Sequence, residues 1–299
     1  MSEKSLAVPG TLPALHLLLA LGIVAIWGTN FVIMHEGLAQ FSAFTLATLR
    51  FAFASIPLLP FLRWPKAPAR MIALYGLLIG VGQFGLMLTA MQGHISPGIA
   101  SVIIQAQAFF TVAIAVLVNG ERLATTNVLG LFLCSAGIIA ISLFAGGDAD
   151  LLGILLVLGA ALAWGTGNVV ARRLGSVNPL GLVAWSNLFA VPPLAIAALA
   201  IDGPHKIVQS LVTADAGGWC AALWQSFGNA LIGYGAWNWL LARHPASRIA
   251  PLGLLVPFFG LGASSLYLGE GLPAWKILAA LTVVSGLAIN ISARRMPNR

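Results

Sequence analysis

The chain has 299 residues, 59% of them hydrophobic and 8% charged, with a formal net charge of +7. A soluble domain carries roughly a quarter of its residues as charges, so a water-soluble fold would have to hide an implausible apolar area, and the composition predicts an all-α polytopic membrane protein. Nor does the positive charge indicate nucleic acid: basic residues sit in short links and at the C-terminus, without an aromatic-interleaved basic face.

A helix needs about 20 residues to cross a hydrocarbon layer. In chain order, apolar runs of that size predict ten spans, at 13–34, 42–62, 70–92, 97–119, 124–144, 151–171, 179–200, 216–241, 246–268 and 273–292. The first reads as a retained span rather than a signal peptide, because its basic flank is only Lys4 beside Glu3. Pro57, Pro97, Pro192, Pro193, Pro251 and Pro257 fall within or near spans, where each removes a backbone donor. The turn Gly146-Gly147-Asp148 divides the fifth span from the sixth. The longest link, about 201–215 with Asp202-Gly203-Pro204, reads as a solvated surface connection. Cys134 and Cys220 read as small buried hydrophobes.

Lys and Arg in the links set the orientation. With the N-terminus in the cytoplasm, that side receives Lys4, Arg63, Lys66, Arg70, Arg122, Arg172, Arg173, Arg243, Arg294, Arg295 and Arg299, whereas the opposite loops receive only Lys206. Both termini are therefore expected in the cytoplasm.

The chain repeats itself. Trp27-Gly28-Thr29 returns as Trp164-Gly165-Thr166, Phe109-Phe110 as Phe258-Phe259, Gly120-Glu121 as Gly269-Glu270, and Gly137 as Gly286. Five spans separate the two beginnings, and an odd number places the second copy upside down in the membrane, a plan used by many transporters of small solutes. The expected units are 13–144 and 151–292, an inverted pair of five-helix repeats.

Candidate pathway residues follow from polar and aromatic groups deep in the spans. Trp27 and Trp164 each lie about 20 Å into their spans at 1.5 Å per residue, with Asn30 one turn beyond Trp27. Arg50 falls near mid-membrane, where a cation needs water, a partner or a ligand. One reading has Arg50 contact a substrate carboxylate; the other has it donate to carbonyls of broken or adjacent helices. Gln83, Gln105, Gln107, Asn187, Gln225, Ser226, Asn229 and Asn238 supply further polarity, while Trp224, Tyr234, Trp237 and Trp239 make the eighth span aromatic. Gln105 and Gln107 do not share a helical face, so one of them points into packing. Trp27, Asn30, Arg50, Gln83, Gln105, Trp164, Asn187, Tyr234 and Trp237 are the expected substrate pathway. Glu121 and Glu270 precede the two short spans and are expected to cap those helices rather than to carry protons. His16, His35, His94, His205 and His244 lack metal-ligand spacing, and no Walker loop or dinucleotide fingerprint is present, so no metal, cofactor or enzymatic centre is expected.

The repeated Trp-Gly-Thr and Gly-Glu-x-Leu elements on a ten-span plan resemble the drug/metabolite transporter superfamily, specifically its EamA-type exporters, and within them the bacterial YddG-like amino-acid exporters. That resemblance implies an inner-membrane exporter with a central cavity, working by alternating access on amino acids or related small metabolites, aromatic or large neutral ones included. Membrane lipid would be its surroundings, with no nucleic acid and no obligate protein partner. The alternatives are efflux of another amphipathic metabolite or toxic cation, and a non-transporting membrane scaffold or receptor.

Overall fold

The computed structural model describes residues 12–119, 125–175, 177–244 and 246–293. Eleven helical elements account for nearly all of them. They are α1 (Ala14–Gln40), α2 (Ala43–Ser55, prolonged by a 3-10 turn Ile56–Leu58), α3 (Ala69–Met91, π-helical over Leu78–Gly85) and α4 (Pro97–Ile103, a 3-10 turn Ile104–Ala106, then Gln107–Asn119). Next come α5 (Thr125–Phe144), α6 (Leu151–Leu174), α7 (Pro179–Ile201) and α8 (Gly203–Thr213). The remainder are α9 (Ala216–Leu223, a π-helical stretch Trp224–Gly233, then Tyr234–Arg243), α10 (Ala246–Ile249, a 3-10 stretch Ala250–Leu255, then Val256–Leu268) and α11 (Ala274–Ala293). Seven helices among the described residues are long and apolar enough to cross a membrane, and α2 and α11 contain shorter apolar stretches. The protein is a multi-pass, all-α membrane protein.

Polar side chains mark the helix starts. Asp150 accepts from Gly153 N at 2.7 Å to open α6, Asn178 from Gly181 N at 2.9 Å to open α7, and Asp215 from Gly218 N at 2.9 Å to open α9. Each satisfies an amide that the first helical turn leaves without a partner. Helix α2 stops sooner than the predicted 62, because Pro57 and Pro60 remove donors from its last turn.

The 201–215 link is a surface connection as expected and is largely helical: no residue of α8 is buried, and Pro204 occupies its first turn, where its missing N–H costs nothing. Ser42 Oγ donates to Asp202, fastening the start of α2 to the start of α8. Cys134 is buried as expected, but Cys220 is exposed, on the face of α9 that borders an open cleft with Glu36, Gln40 and Asp215.

Close helix packing rests on small residues. α1 packs on α10 and α9, α6 on α4 and α3, α2 on α7, and α5 on α11. At the α1–α10 crossing Gly28 abuts Phe259 and the carbonyl of Val256; a Cβ there would lie 2.7 Å from that carbonyl oxygen. Its counterpart Gly165 sits at the α6–α4 crossing, where a Cβ would come within 2.9 Å of Thr111 N. Membrane helices gain little from hydrophobic association, so such backbone approach supplies the dispersion contact that holds them together. The repeated Trp-Gly signature is thus a repeated helix crossing. Large apolar side chains on the outside, among them Leu117, Phe132, Leu143 and Leu266, face outward for lipid.

Candidate functional site

Where α1, α3, α4, α6, α9 and α10 converge, the bundle does not close. A cavity of about 90 Å³ is lined by Trp27, Asn30, Phe31 and Met34 of α1, Gln83, Phe84 and Met87 of α3, and Ile104 and Gln105 of α4, with Trp164, Asn229, Tyr234 and Val256 completing the wall. A second cavity of about 100 Å³ adjoins it, lined by Arg50, Phe51, Tyr75, Ile79, Asn168, Val183, Asn187 and Ala230. Phe84, Trp164 and Tyr234 border both and form the septum between them.

The irregular backbone segments stand at this place. Gln83 and Phe84 belong to the π-helical stretch of α3, Asn229 and Ala230 to that of α9, and Ile104 and Gln105 to the 3-10 turn of α4. Tightening α4 there separates two amides that the sequence leaves ambiguous. Gln105 lines the first cavity, whereas Gln107 accepts from Asn168 Nδ2 at 2.9 Å and binds α4 to α6. On the other flank Asn30 and Gln225 exchange two hydrogen bonds, at 2.9 and 3.3 Å, across α1 and α9.

Three buried polar atoms at the cavities have no hydrogen-bond partner among the described residues: Trp27 Nε1, Arg50 Nη1 and Gln83 Oε1. The Arg50 guanidinium lies over the Phe84 ring, 3.4 Å from its centroid, and faces Phe51 at 5.2 Å. A cation over an aromatic face is stabilised by the ring quadrupole, yet that contact leaves Nη1 with nothing to donate to. No described acidic side chain lines either cavity.

Of the expected pathway residues, the structure places Trp27, Asn30, Gln83, Gln105, Trp164 and Tyr234 on the first cavity, and Arg50 and Asn187 on the second with Trp164 and Tyr234. Trp237 lines neither; its ring packs against Trp27 at 5.0 Å and supports that wall from behind. Phe31 and Met34 were missed, although their spacing of four and seven from Trp27 puts them on its helical face. Met87 and Tyr75 stand in similar register with Gln83, but the π-helical stretch shifts that register and hides the pattern.

Glu121 lies outside the described residues. Glu270 accepts from Gly98 N at 3.3 Å and Ser96 Oγ at 2.9 Å, so it caps α4 rather than the helix that follows it. The geometric reason is a clasp at one end of the bundle. Ser96 N donates to Asp148 O at 2.7 Å, and Lys276 Nζ reaches Asp148 Oδ2 at 2.7 Å and Glu270 Oε2 at 3.5 Å. His94 pairs with Asp150 at 2.7 Å beside it. The Gly153 N–H, then His94, hold the Asp150 carboxyl below the usual range.

These features define a class, a multi-pass membrane protein built around an interior chamber at a convergence of broken helices. The EamA-like transporter family matches residues 14–143 and again 151–292. The chain belongs to this family, and it is a transporter rather than an enzyme. It is 36% identical over 283 residues to a probable amino-acid metabolite efflux pump of Escherichia coli, covering 93% of this chain and 95% of that protein. A protein of the same description from Salmonella typhimurium is 35% identical over 284 residues, with the same coverage. A solved crystal structure superposes with a TM-score of 0.64 at 18% identity, covering 96% of this chain and all of the other, a likeness of fold alone.

Proposed function

We propose that this protein exports amino acids, aromatic and large neutral ones included, across a bacterial inner membrane by alternating access. The observation that carries the reading is the pair of adjoining cavities, walled by aromatic and amide side chains contributed by both matched regions of the chain. Both relatives described above carry the name probable amino-acid metabolite efflux pump, which supports the same substrate class. In this reading all ten predicted spans cross the membrane, both termini are cytoplasmic, and 13–144 and 151–292 are inverted five-helix units. Partner exchange between the halves supports that arrangement: α1 meets α10 as α6 meets α4, and α1 meets α9 as α6 meets α3. The YddG-like resemblance is carried by the repeated Trp-Gly-Thr and Gly-Glu-x-Leu elements, and the aromatic lining is consistent with it.

The lining provides what a zwitterion needs. Leaving either charged end unpaired in hydrocarbon is expensive, and Arg50 offers a cation to the carboxylate while Gln83, Gln105 and Asn229 offer amide oxygens to the ammonium. The π-helical stretches of α3 and α9 border the chamber and are the segments expected to change as access switches sides. The solute's own gradient suffices to drive net flux. The test is counterflow of labelled phenylalanine in sealed proteoliposomes of purified protein. Saturable exchange without an ion gradient, lost in a folded Arg50→Gln variant, is expected. Flux indistinguishable from protein-free vesicles would sink the reading.

A further inference from the structure

The three unpartnered atoms differ in kind. Arg50 Nη1 is a cationic donor, Gln83 Oε1 a neutral acceptor and Trp27 Nε1 a neutral donor. They gather around one junction. Arg50 lies on Phe84, the residue next to Gln83, and Trp27 packs against Tyr234 at 5.3 Å in a tilted contact; Phe84 and Tyr234 both belong to the septum between the cavities. A buried polar group without a partner costs free energy comparable to a lost hydrogen bond, so the chamber carries three such costs, which a fitting solute relieves together.

The charge of the chamber narrows the fit. Among the described residues lining it, Arg50 is the one cation and none is acidic. A zwitterion matches Arg50 with its carboxylate but brings in an ammonium that meets neutral acceptors only. A solute of net charge −1 balances the chamber. If its nitrogen is an amide, the N–H donates to Gln83 Oε1 and the acyl oxygen accepts from Trp27 Nε1.

Resting on the reading of this chamber as a transport site, we propose that its preferred cargo is an N-acylated α-amino acid with an uncharged side chain. The carboxylate sits at Arg50, the amide between Gln83 and Trp27, and the side chain among Phe31, Met34 and Met87. Acylation removes the ammonium, so the solute enters with one charge, and that charge has a counter-ion waiting. Free amino acids are then secondary cargo.

The experiment is competition in proteoliposomes of the full chain at pH 7, with labelled phenylalanine and labelled N-acetyl-phenylalanine as separate counterflow probes. Unlabelled phenylalanine, N-acetyl-phenylalanine, N-acetyl-phenylalanine amide and phenylalanine methyl ester serve as competitors. The acetylated acid is expected to compete at least about ten-fold more strongly than phenylalanine, a difference of one hydrogen-bonded charge match. Its uncharged amide and the cationic ester should trail both. In Arg50→Gln the acid should lose its advantage over the amide, and Trp27→Phe should narrow the gap between acetylated and free acid. Phenylalanine flux with equal or better competition by phenylalanine would overturn this inference while leaving amino-acid export standing. Flux of the acetylated probe alone would support the inference and demote free amino acids. Movement of neither probe would overturn both readings. The wild-type ranking decides the question even if a variant fails to fold.

Discussion

Lys276 gives the sharpest test of how the bundle end is held. Its side chain is 1% exposed, and its Nζ lies 2.7 Å from Asp148 Oδ2 and 3.5 Å from Glu270 Oε2. Lys276→Met keeps most of the buried stem and removes only the charge. Glu270 is the group left in difficulty, with 11% of its side chain exposed. Removing one partner of a buried ion pair costs about 3–5 kcal/mol. Two features pull the figure down: Asp148 is 42% exposed and can turn to water, and Glu270 keeps its bonds from Gly98 N and Ser96 Oγ. The expected loss is about 2–3 kcal/mol, seen as a fall of roughly 6 °C in the detergent melting temperature. Neutralising the orphaned carboxylate should restore much of it, so Lys276→Met combined with Glu270→Gln is expected to melt above the single variant. A single variant within about 1 °C of wild type, or a double variant melting below it, would refute the clasp as the support of α4.

Further expectations concern other elements. Gly28→Ala should destabilise by about 1–3 kcal/mol through overpacking against Phe259 and the Val256 carbonyl. Gly22→Ala, where nothing lies within 4 Å, should be neutral or stabilising by up to about 1 kcal/mol; paired melts in one detergent separate the two. Gln225→Leu leaves the Asn30 amide buried without a partner and should cost about 1–3 kcal/mol, with Asn30→Leu on top restoring part of the loss. The Asp150 carboxyl titrates lower folded than unfolded, so its contribution is fully present above the unfolded value of about 3.9 and is lost as pH falls through the folded value. Melting curves taken from pH 6 down to 3 should show a decline that is shallower in Asp150→Asn; identical slopes would remove Asp150 from the linkage.

Much of the architecture is legible in one dimension because the bilayer simplifies the problem. Hydrocarbon demands long apolar helices with their backbone bonds satisfied internally, so span positions such as 97–119 and 179–200 follow from hydropathy alone. The duplicated Trp-Gly-Thr motif is also visible there, and with it the equivalence of α1 and α6. Short-range signals are less complete. Asp202-Gly203-Pro204 reads as part of a solvated connection, yet the same proline suits a helix start, and only the packing of α8 against α7 shows that the connection is helical.

The chamber itself belongs to tertiary structure. Sequence marks Arg50, Gln83 and Trp27 as costly in a membrane, because each carries a polar group that hydrocarbon cannot satisfy. It does not say that Arg50 rests on Phe84, that Gln107 turns to Asn168 while Gln105 turns inward, or that Trp237 stands behind Trp27. Those outcomes depend on π-helical and 3-10 segments that shift side-chain register by fractions of a turn, and on which helices cross at Gly28 and Gly165. Glu270 illustrates the division. Its charge and its place beside a helix start are local facts, but the amide it caps is in α4, brought to it by the packing of α10 against α4. Composition and periodicity determine that this chain spans a membrane as two related halves; the meeting of those halves decides where the charge, the aromatic rings and the empty space coincide.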